Sequence, residues 1–383
     1  MIPYGKQDIT KEDIRGVIKI LRSDFLTQGP TIHKFENALC DYTGAKYSVV
    51  TNNCTSALHL ACLALDLNSK DILWTSPITF VASANCALYC GATVDFVDIN
   101  PDTALISIES LKEKLEKADK ENKLPKIVIP VHFAGQPCDM EIIYNLSKQY
   151  GFKIIEDAAH AIGASYKNKK IGNCKYSDIT VFSFHPVKII TTGEGGAAMT
   201  NNKILADKME LMRSHGITRN QHNMNKKLCN NWYYEQIDLG FNYRMTDIQA
   251  ALGISQLNRL DEYVQKRKKI AKLYDKLLNN TSINPLVQSK DRSSAYHLYV
   301  VRLKYKENYR DIVYNHLHYH GINANFHYIP IYRMPYYGLK HYKNRFKNAE
   351  SYYSSAITLP LFPGLSFQDV NFVVDRLCDT HNV

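Results

Sequence analysis

Lys188 is the residue whose position in this sequence best suits chemistry. It follows an apolar run in the segment VFSFHPVKII at 181–190, and a Gly-Glu-Gly-Gly turn closes the segment at 193–196. Ser183 and His185 interrupt the apolar run just before the lysine. Polar groups at the end of a buried strand form active sites in open α/β folds. A single lysine is more often an exposed loop residue, so the rest of the chain must decide between these interpretations.

A carboxylate stands in a comparable place. Asp157 follows the apolar strand pattern at 153–155 and precedes Ala-Ala-His160. At the edge of a sheet a carboxylate needs a partner to remain charged. A protonated ring nitrogen is one such partner, and a structural salt bridge or helix cap is the other.

Two further segments come directly after predicted strands. The segment NNCTS at 52–56 precedes an apolar helix, whose free N–H groups and dipole favour a phosphate. Simple capping by Thr55 or Ser56 explains the same residues equally well. Phe80 follows the next strand and reads by default as a core residue, although stacking on a flat cofactor would give it another role.

The elements that position these residues alternate regularly. The patterns predict amphipathic helices at 10–22 and 31–43, and then strands and helices in turn. The predicted strands are 47–51, 72–75, 93–97, 126–131, 153–156, 179–183 and 197–200, and the predicted helices between and after them are 57–65, 79–90, 107–118, 139–150 and 202–214. Such alternation favours a mostly parallel sheet covered by helices on both faces, with functional groups at the carboxyl ends of the strands.

The remainder of the chain predicts a smaller domain. A polar stretch at 218–236 reads as a long mobile loop, and a long helical pattern follows from 246 to about 279. A strand at 297–303, a helix at 309–319, a strand at 322–326 and a terminal helix from 368 then suggest an α+β unit. We therefore predict a large α/β domain at 1–255 and a small α+β domain at 256–383.

Composition limits the classes of function. The chain has 383 residues, and no segment has the unbroken apolar length of a membrane span. The first residues are polar where a signal peptide would be apolar, so we expect a cytoplasmic protein. Nine cysteines show no CxxC pairs, which favours reduced thiols and no metal site. The net charge of +10 is spread widely, which favours anionic small molecules over nucleic acid.

Four ordered motifs carry a resemblance to a known family. They are EDAAHA at 156–161, FSFHPVK at 182–188, TTGEGGA at 191–197 and GFNYRMTDIQAALG at 240–253. Together they resemble the DegT/DnrJ/EryC1/StrS family of sugar aminotransferases, which depend on pyridoxal 5′-phosphate (PLP) and have the fold-type I aminotransferase architecture. The resemblance runs from PYGKQDIT near the start to LPLFPGL at 359–365. Within the family, the segments LTQGP, SFHPVK, RSHGI and HYIPIY are most similar to the branch that aminates UDP-linked sugars of the pseudaminic acid pathway.

The resemblance implies roles for individual residues. Lys188 would bind PLP covalently and act as the acid and base, Asp157 would pair with the ring nitrogen, and Phe80 would stack on the ring. Thr55, Ser56 and Ser183 would bind the phosphate, with Asn242 reaching it from a neighbouring subunit of a homodimer. His160 would lie beside the phenolic oxygen, unless it is a core histidine. The candidates for substrate contacts are Tyr4, Thr27, Gln28, His185, Arg244 and His327.

The implied reaction moves the amino group of L-glutamate to C4 of a nucleotide-linked, UDP-activated 4-keto-6-deoxy sugar. Cys54 and Ile189 depart from the family pattern without removing a reacting group, and the Asn-rich 218–236 stretch points to a distinct substrate edge. A different nucleotide sugar is one alternative, and a PLP-binding or sugar-binding regulator without activity is another. The complete set of Lys188, Asp157, Ser183 and Asn242 argues against a regulator.

Overall fold

Strands and helices alternate through the first half of the chain, as predicted. The structure is a computed structural model, and it describes residues 1–226, 230–303, 308–338 and 345–380. The helices are α1 Lys11–Leu21, α2 Pro30–Thr43, α3 Cys54–Ala64, α4 Ala82–Tyr89, α5 Ile108–Lys120, α6 Met140–Tyr150, α7 Lys203–Arg213, α8 Asp247–Leu257, α9 Leu260–Leu278, α10 Tyr309–Tyr319, α11 Lys347–Ser355 and α12 Phe367–Asp379. The strands are β1 Tyr47–Thr51, β2 Ile72–Thr75, β3 Thr93–Phe96, β4 Ile127–Ile129, β5 Lys153–Asp157, β6 Ser165–Tyr166, β7 Lys169–Lys170, β8 Ile179–Ser183, β9 Gly196–Thr200, β10 Ile217–Thr218, β11 Glu235–Gln236, β12 Asn284–Pro285, β13 Arg292–Ser293, β14 Tyr299–Arg302 and β15 Ala356–Leu359.

A seven-stranded sheet forms the centre of the large α/β part, in the order β1-β9-β8-β5-β4-β2-β3. The pairs β8–β5, β5–β4, β4–β2 and β2–β3 are parallel. Strand β9 is antiparallel to both of its neighbours, β1 and β8. The prediction of a mostly parallel sheet is confirmed. Because β9 runs the opposite way, its first residue, Gly196, pairs with Ser183 at the carboxyl end of β8.

Both faces of this sheet are buried. Successive strand residues alternate between two apolar clusters, one on each face. Ile154 of β5 and Phe182 of β8 belong to one cluster, and Ile155 of β5 and Val181 of β8 belong to the other. All five residues of β8 are buried, as expected for a strand with helices on both sides. The carboxyl ends of the parallel strands are left as the edge where polar side chains reach open space.

The C-terminal part has its own apolar cluster, formed by residues of α9, α10, α12, β14 and β15. The three-stranded antiparallel sheet β12-β14-β15 lies here. The predicted boundary at residue 255 falls in the last turn of α8, and the division into domains 1–255 and 256–383 stays a prediction.

Several element predictions need correction. The helical pattern at 246–279 forms two helices, α8 and α9, with Asn258 and Arg259 between them. The predicted strand at 322–326 does not form, because Ile322 and Asn325 each make only an isolated bridge, to Ile2 and Thr358. The stretch 218–236 is closed at its two ends by β10 and β11, which pair Ile217 with Gln236 and Thr218 with Glu235. The mobility of this stretch stays a prediction.

Two further features are the state of the cysteines and the apolar character of the helices. The eight described cysteines are all free, and Cys229 lies outside the described residues. No helix of the described chain has the length and apolar character that crossing a bilayer requires.

Candidate active site

A cavity of about 770 Å³ opens at the carboxyl ends of the parallel strands. Most of the residues predicted to carry chemistry line it, although they come from distant parts of the sequence. The lining residues that the sequence predicted are Tyr4, Thr55, Ser56, Phe80, Asp157, His160, Ser183, His185, Lys188 and His327. A volume of this size accommodates a ligand larger than a single amino acid.

Lys188 projects into this cavity from the turn that follows β8. Its backbone N–H donates to the carbonyl of His185, which closes the turn. Its ammonium group makes no hydrogen bond or ion pair within the described chain. Burial lowers the pKa of Lys188 to about 8, against the opposing effect of the nearby Cys54 and Asp157. An unpaired lysine with a lowered pKa is prepared to act as a nucleophile and as a base.

Asp157 ends β5 and is buried. Its Oδ2 accepts a hydrogen bond from the Ser83 hydroxyl at 2.6 Å, and its Oδ1 accepts one from the backbone N–H of Ala159 at 3.1 Å. Thr79 Oγ1 lies 2.8 Å from Ser83 Oγ and completes a short chain of hydroxyl groups. The carboxylate is therefore held in one orientation, but no cationic side chain forms an ion pair with it among the described residues.

The N-terminus of α3 forms another wall. Asn53 is the N-cap, and its Oδ1 accepts from the backbone N–H of Ser56 at 2.8 Å. The alternative that Thr55 or Ser56 caps the helix is therefore wrong. The backbone N–H groups of Cys54 and Thr55 make no hydrogen bond in the described chain, so they are available at the positive end of the helix dipole. An anionic group suits this position.

Aromatic side chains line the opposite part of the cavity. Phe80 precedes α4 rather than lying inside a helix, and 56% of its surface is exposed. Its ring centroid lies 6.2 Å from that of Tyr328, whose hydroxyl lies 3.2 Å from His160 Nε2. The default interpretation of Phe80 as a core residue is wrong, since a largely exposed ring facing a cavity has a free surface for stacking.

Buried histidines surround the lysine. His160, His297 and His327 all line the cavity, and burial is the main cause that lowers the pKa of each ring. The nearby charge of Lys188 lowers these pKa values further, and that of His327 reaches about 3. All three imidazoles are therefore neutral at physiological pH.

Some predicted residues lie elsewhere. Gln28 and Arg244 line a separate groove of about 560 Å³, where Arg244 donates to the Ser214 hydroxyl at 3.1 Å. Thr27 forms an isolated β-bridge with Thr246, and it lines neither this groove nor the cavity that contains Lys188. Asn242 is exposed and does not line the cavity of its own chain, whereas the adjacent Tyr243 does.

Sequence reasoning missed other lining residues, among them Ser83, Tyr89, Glu194, Tyr243 and His297. Tyr328 also lines the cavity; it belongs to a run of tyrosines, with Tyr332, Tyr336 and Tyr337, whose apolar rings and polar tips suit either the edge of a core or a site that holds a sugar. Tyr243 belongs to the motif that contains Asn242. Ser83 and His297 carry no comparable signal. Among the described residues, no group of three acidic, histidine or cysteine side chains is arranged to hold a metal ion.

The sequence pattern that defines the DegT/DnrJ/EryC1/StrS aminotransferase family matches residues 7–378. This chain belongs to that family. It is 40% identical to the UDP-4-amino-4,6-dideoxy-N-acetyl-β-L-altrosamine transaminase of Campylobacter jejuni, over 98% of this chain and 96% of the relative.

Solved structures of relatives have the same fold. Helicobacter pylori PseC, an aminotransferase involved in the biosynthesis of pseudoaminic acid, superposes with a TM-score of 0.90 at 33% identity, covering 100% of this chain and 99% of PseC. A putative sugar aminotransferase from Streptococcus pneumoniae, in its PLP form, superposes with a TM-score of 0.89 at 29% identity, covering 100% of this chain and 98% of the relative. The chain is a PLP-dependent aminotransferase with the fold-type I architecture.

The residues of the cavity fit PLP. The unpaired amine of Lys188 suits the aldehyde, the oriented carboxylate of Asp157 suits the ring nitrogen, and the free N–H groups at the start of α3 suit the phosphate. His160 Nδ1 is buried without a hydrogen-bond partner, as expected for a group that pairs with a ligand.

Proposed function

We propose that this enzyme transfers the amino group of L-glutamate to C4 of a UDP-linked 4-keto-6-deoxy sugar. The observation that carries the proposal is the unpaired Lys188 amine facing a large cavity, with Asp157 held at its side. The substrate class follows from the similarity to the Campylobacter jejuni transaminase, which is named for a UDP-linked 4-amino-4,6-dideoxy sugar. Both substrates are anionic, in keeping with the net charge of +10.

Lys188 and Asp157 have different roles in the proposed reaction. When bound, PLP supplies an electron sink that weakens the bond to the α-hydrogen of the amino donor. The Lys188 amine takes up that proton and returns it, because a group with a pKa of about 8 exchanges protons readily near neutral pH. Asp157 would hold a proton at the ring nitrogen, and the hydrogen bond from Ser83 keeps its carboxylate in one orientation.

The phosphate contacts are the backbone of Thr55 together with the Ser56 and Ser183 side chains. Ser183 is buried at the end of β8, in the same cavity wall as the start of α3. Ser56 Oγ donates to the side chain of Asn52 at 2.7 Å, so a direct phosphate contact by Ser56 requires this hydroxyl to turn. Thr55 therefore makes the stronger contribution.

The sugar nucleotide binds beside Tyr4, His185 and His327, which line the same cavity as Lys188. The Tyr4 and His327 rings lie 5.5 Å apart. His185 is exposed and lies 4.0 Å from Glu194, so a ligand can displace this weak surface pair. Thr27, Gln28 and Arg244 do not line the cavity of their own chain, so a substrate contact by these residues requires the partner subunit.

The functional unit is a homodimer. Helix α1 buries Asp13, which pairs with Arg259 at 2.6 Å, and it exposes Ile14, Ile18 and Leu21. Together with Phe25 and Leu26, which are exposed in the segment after the helix, these residues form the α1 row. It continues into the segment that carries Asn242, because the Asp247 N–H donates to the Leu26 carbonyl at 2.9 Å. A second copy covering the row would bring Asn242 toward the neighbouring phosphate site.

The test is incubation of the purified enzyme and PLP with L-glutamate and a panel of UDP-, dTDP- and GDP-linked 3-keto and 4-keto sugars. Formation of 2-oxoglutarate with a UDP-linked 4-keto-6-deoxy sugar supports the proposal. Formation with another sugar would correct the substrate. Absence of 2-oxoglutarate with every sugar would favour a binding protein without activity.

A further inference from the structure

Three cysteines meet between helices α3 and α4. Cys62 of α3 and Cys86 of α4 are fully buried in one apolar cluster, and Cys90, the C-cap of α4, packs against that cluster and is partly exposed. The Cys62 thiol is in hydrogen-bond contact with both Cys86 and Cys90. All three are free thiols, and none of them lines the cavity that contains Lys188.

A histidine completes this thiol cluster. The His59 ring forms a hydrogen bond with Cys90, and its Nδ1 lies 3.2 Å from the Tyr243 hydroxyl. The rings of Tyr89 and Phe241 pack on it, with centroids 5.4 and 4.9 Å away. His59 is buried, so packing on both sides and the contact with Tyr243 hold its ring beside Cys90.

The surroundings of Cys90 favour a thiolate. The hydrogen bond from the Cys62 thiol is the main cause that lowers the pKa of Cys90; burial opposes it, and the hydrogen bond from His59 lowers the pKa further. Burial raises the pKa of Cys62, so this thiol stays protonated and able to donate. Because the C-terminal end of a helix disfavours negative charge, the two hydrogen bonds and not the helix dipole stabilise the thiolate.

The other partly exposed thiols of the described chain have different surroundings. They are Cys40, Cys54 and Cys378. Burial raises the pKa of each of them, and nearby carboxylates raise it further. The thiolate is the nucleophilic form of cysteine. Cys90 therefore combines access to solvent with stabilisation of the reactive form, and Cys62 lies beside it as a second thiol.

We propose that Cys90 is a reactive thiol that forms a disulfide with Cys62 when the enzyme meets a hydroperoxide. The Cys90 thiolate attacks the peroxide, so that an S–O bond forms and the O–O bond breaks. The departing oxygen takes a proton from solvent and leaves as an alcohol, or as water from hydrogen peroxide. The Cys62 thiol then attacks the sulfenic acid: the S–S bond forms, the S–O bond breaks, and the hydroxyl leaves with the Cys62 proton as water. The hydroperoxide gains the two electrons that the two thiols lose.

The disulfide would join two helices that form walls of the cavity. Helix α3 begins at the proposed phosphate site, and α4 carries Ser83, whose hydroxyl donates to Asp157. A covalent bond between α3 and α4 limits how these two walls move relative to each other. The competing interpretation is that the three cysteines only fill the space between the helices, as buried cysteines commonly do.

The experiment treats the PLP-loaded enzyme with hydrogen peroxide, blocks the remaining thiols with iodoacetamide, and maps disulfides by mass spectrometry without reduction. The enzyme carries Cys229→Ser, so that only the described thiols compete. A Cys62–Cys90 disulfide that dithiothreitol reverses is expected. When Cys62→Ser is added, the second step is lost and dimedone should trap Cys90 as the sulfenic acid. Absence of the disulfide, or a disulfide between other cysteines in its place, would overturn the inference.

Cys86→Ser is the matched control, because Cys86 also contacts Cys62 but is fully buried one turn before Cys90. This variant should still form the disulfide, and a disulfide that requires Cys86 would overturn the pairing of Cys90 with Cys62.

A second measurement uses the enzyme without oxidant. Iodoacetamide at pH 7 should label Cys90 about ten-fold faster than Cys40 or Cys378, because only the thiolate reacts. Equal rates, or faster labelling of Cys40 or Cys378, would overturn the inference. Cysteines that only fill space give neither the preferential labelling nor the reversible disulfide.

Discussion

At the scale of single residues, Ser83 determines how Asp157 is held. Its hydroxyl is the only side chain that donates to this carboxylate within the described chain, at 2.6 Å. Hydrogen bonds to charged groups contribute about 1.5–3 kcal/mol. We expect Ser83→Ala to weaken PLP binding by roughly ten- to a hundred-fold, measured by absorbance titration of cofactor-free enzyme.

A neighbouring substitution is the matched control. Thr79→Val removes the hydroxyl that lies 2.8 Å from Ser83 but leaves the bond to Asp157 intact. Its effect on the dissociation constant should be clearly smaller. Equal effects of the two substitutions would show that Asp157 does not depend on Ser83 for its orientation.

Lys188 should destabilise the cofactor-free protein. Burial lowers its pKa from 10.5 to about 8, so between these values the folded state binds fewer protons than the unfolded state. Stability therefore rises with pH across this window, and the charged lysine is a penalty below it. Lys188→Met should raise the free energy of unfolding at pH 7 by up to about 3 kcal/mol, an upper limit because the residue is partly exposed.

The pH dependence provides the check on this prediction. In urea unfolding of the cofactor-free proteins, the advantage of Lys188→Met over the wild type should shrink as the pH rises from about 8 toward 10.5. An advantage that stays constant with pH would mean that altered packing at this position, and not a buried charge, separates the two proteins.

The residues that sequence reasoning recovered share one property. Lys188, Asp157 and Thr55 each follow a strong strand pattern, and strand ends of a parallel sheet meet at one edge. Ser83 lies inside α4 and His297 lies 137 positions beyond His160, so no local pattern links them to the site. Only the fold brings these two residues to the cavity.

At the scale of elements, β9 sets the position of the α3 N-terminus. A Cβ on Gly196 would come within 2.6 Å of the Asn53 carbonyl and 2.7 Å of the Cys54 Cα. Backbone atoms cannot give way as a flexible side chain can, so Gly196→Ala should displace the start of the helix. We expect weaker PLP binding and a loss of about 1–3 kcal/mol in stability, measured by absorbance titration and urea unfolding.

Gly364→Ala is the comparison for this substitution. A Cβ there meets only the Phe362 side chain, at 3.8 Å, and Gly364 does not line the cavity. Neither PLP binding nor stability should fall appreciably. Unchanged PLP binding in Gly196→Ala would contradict the role assigned to this strand–helix contact.

The element predictions failed where the chain gives no local signal. Asn258 and Arg259 separate α8 from α9 without a glycine or proline, and Asn258 has helical backbone angles. A periodic pattern therefore runs through the break. The segment 322–326 has residues typical of a strand, but it pairs through isolated bridges with Ile2 and Thr358. Its neighbours along the chain do not reveal these distant partners.

At the scale of the whole molecule, the exposed row on α1 predicts the site of dimerisation. Leu21 is 55% exposed and lies among the other apolar residues of the row. A charge there would be desolvated in a dimer but not in a monomer. Leu21→Lys should therefore shift the enzyme toward monomers in light scattering, and PLP binding should weaken because Asn242 of the second subunit no longer reaches the phosphate.

The control places the same charge on an isolated apolar residue. Ile204, in α7, is 67% exposed and outside the α1 row. Ile204→Lys should leave the oligomeric state unchanged. A dimer that persists in Leu21→Lys with full PLP affinity would place the interface elsewhere.

The most direct test of the central claim is to locate the cofactor on the chain. Enzyme incubated with PLP is reduced with borohydride, digested and mapped by mass spectrometry. The label should appear on Lys188 and be absent from Lys188→Ala. Lys114 is the internal control, since burial also lowers its pKa to about 8 but its ammonium is paired with Asp95 at 2.7 Å. Label on Lys114, or spread over surface lysines in place of Lys188, would contradict the assignment of this cavity as the PLP site.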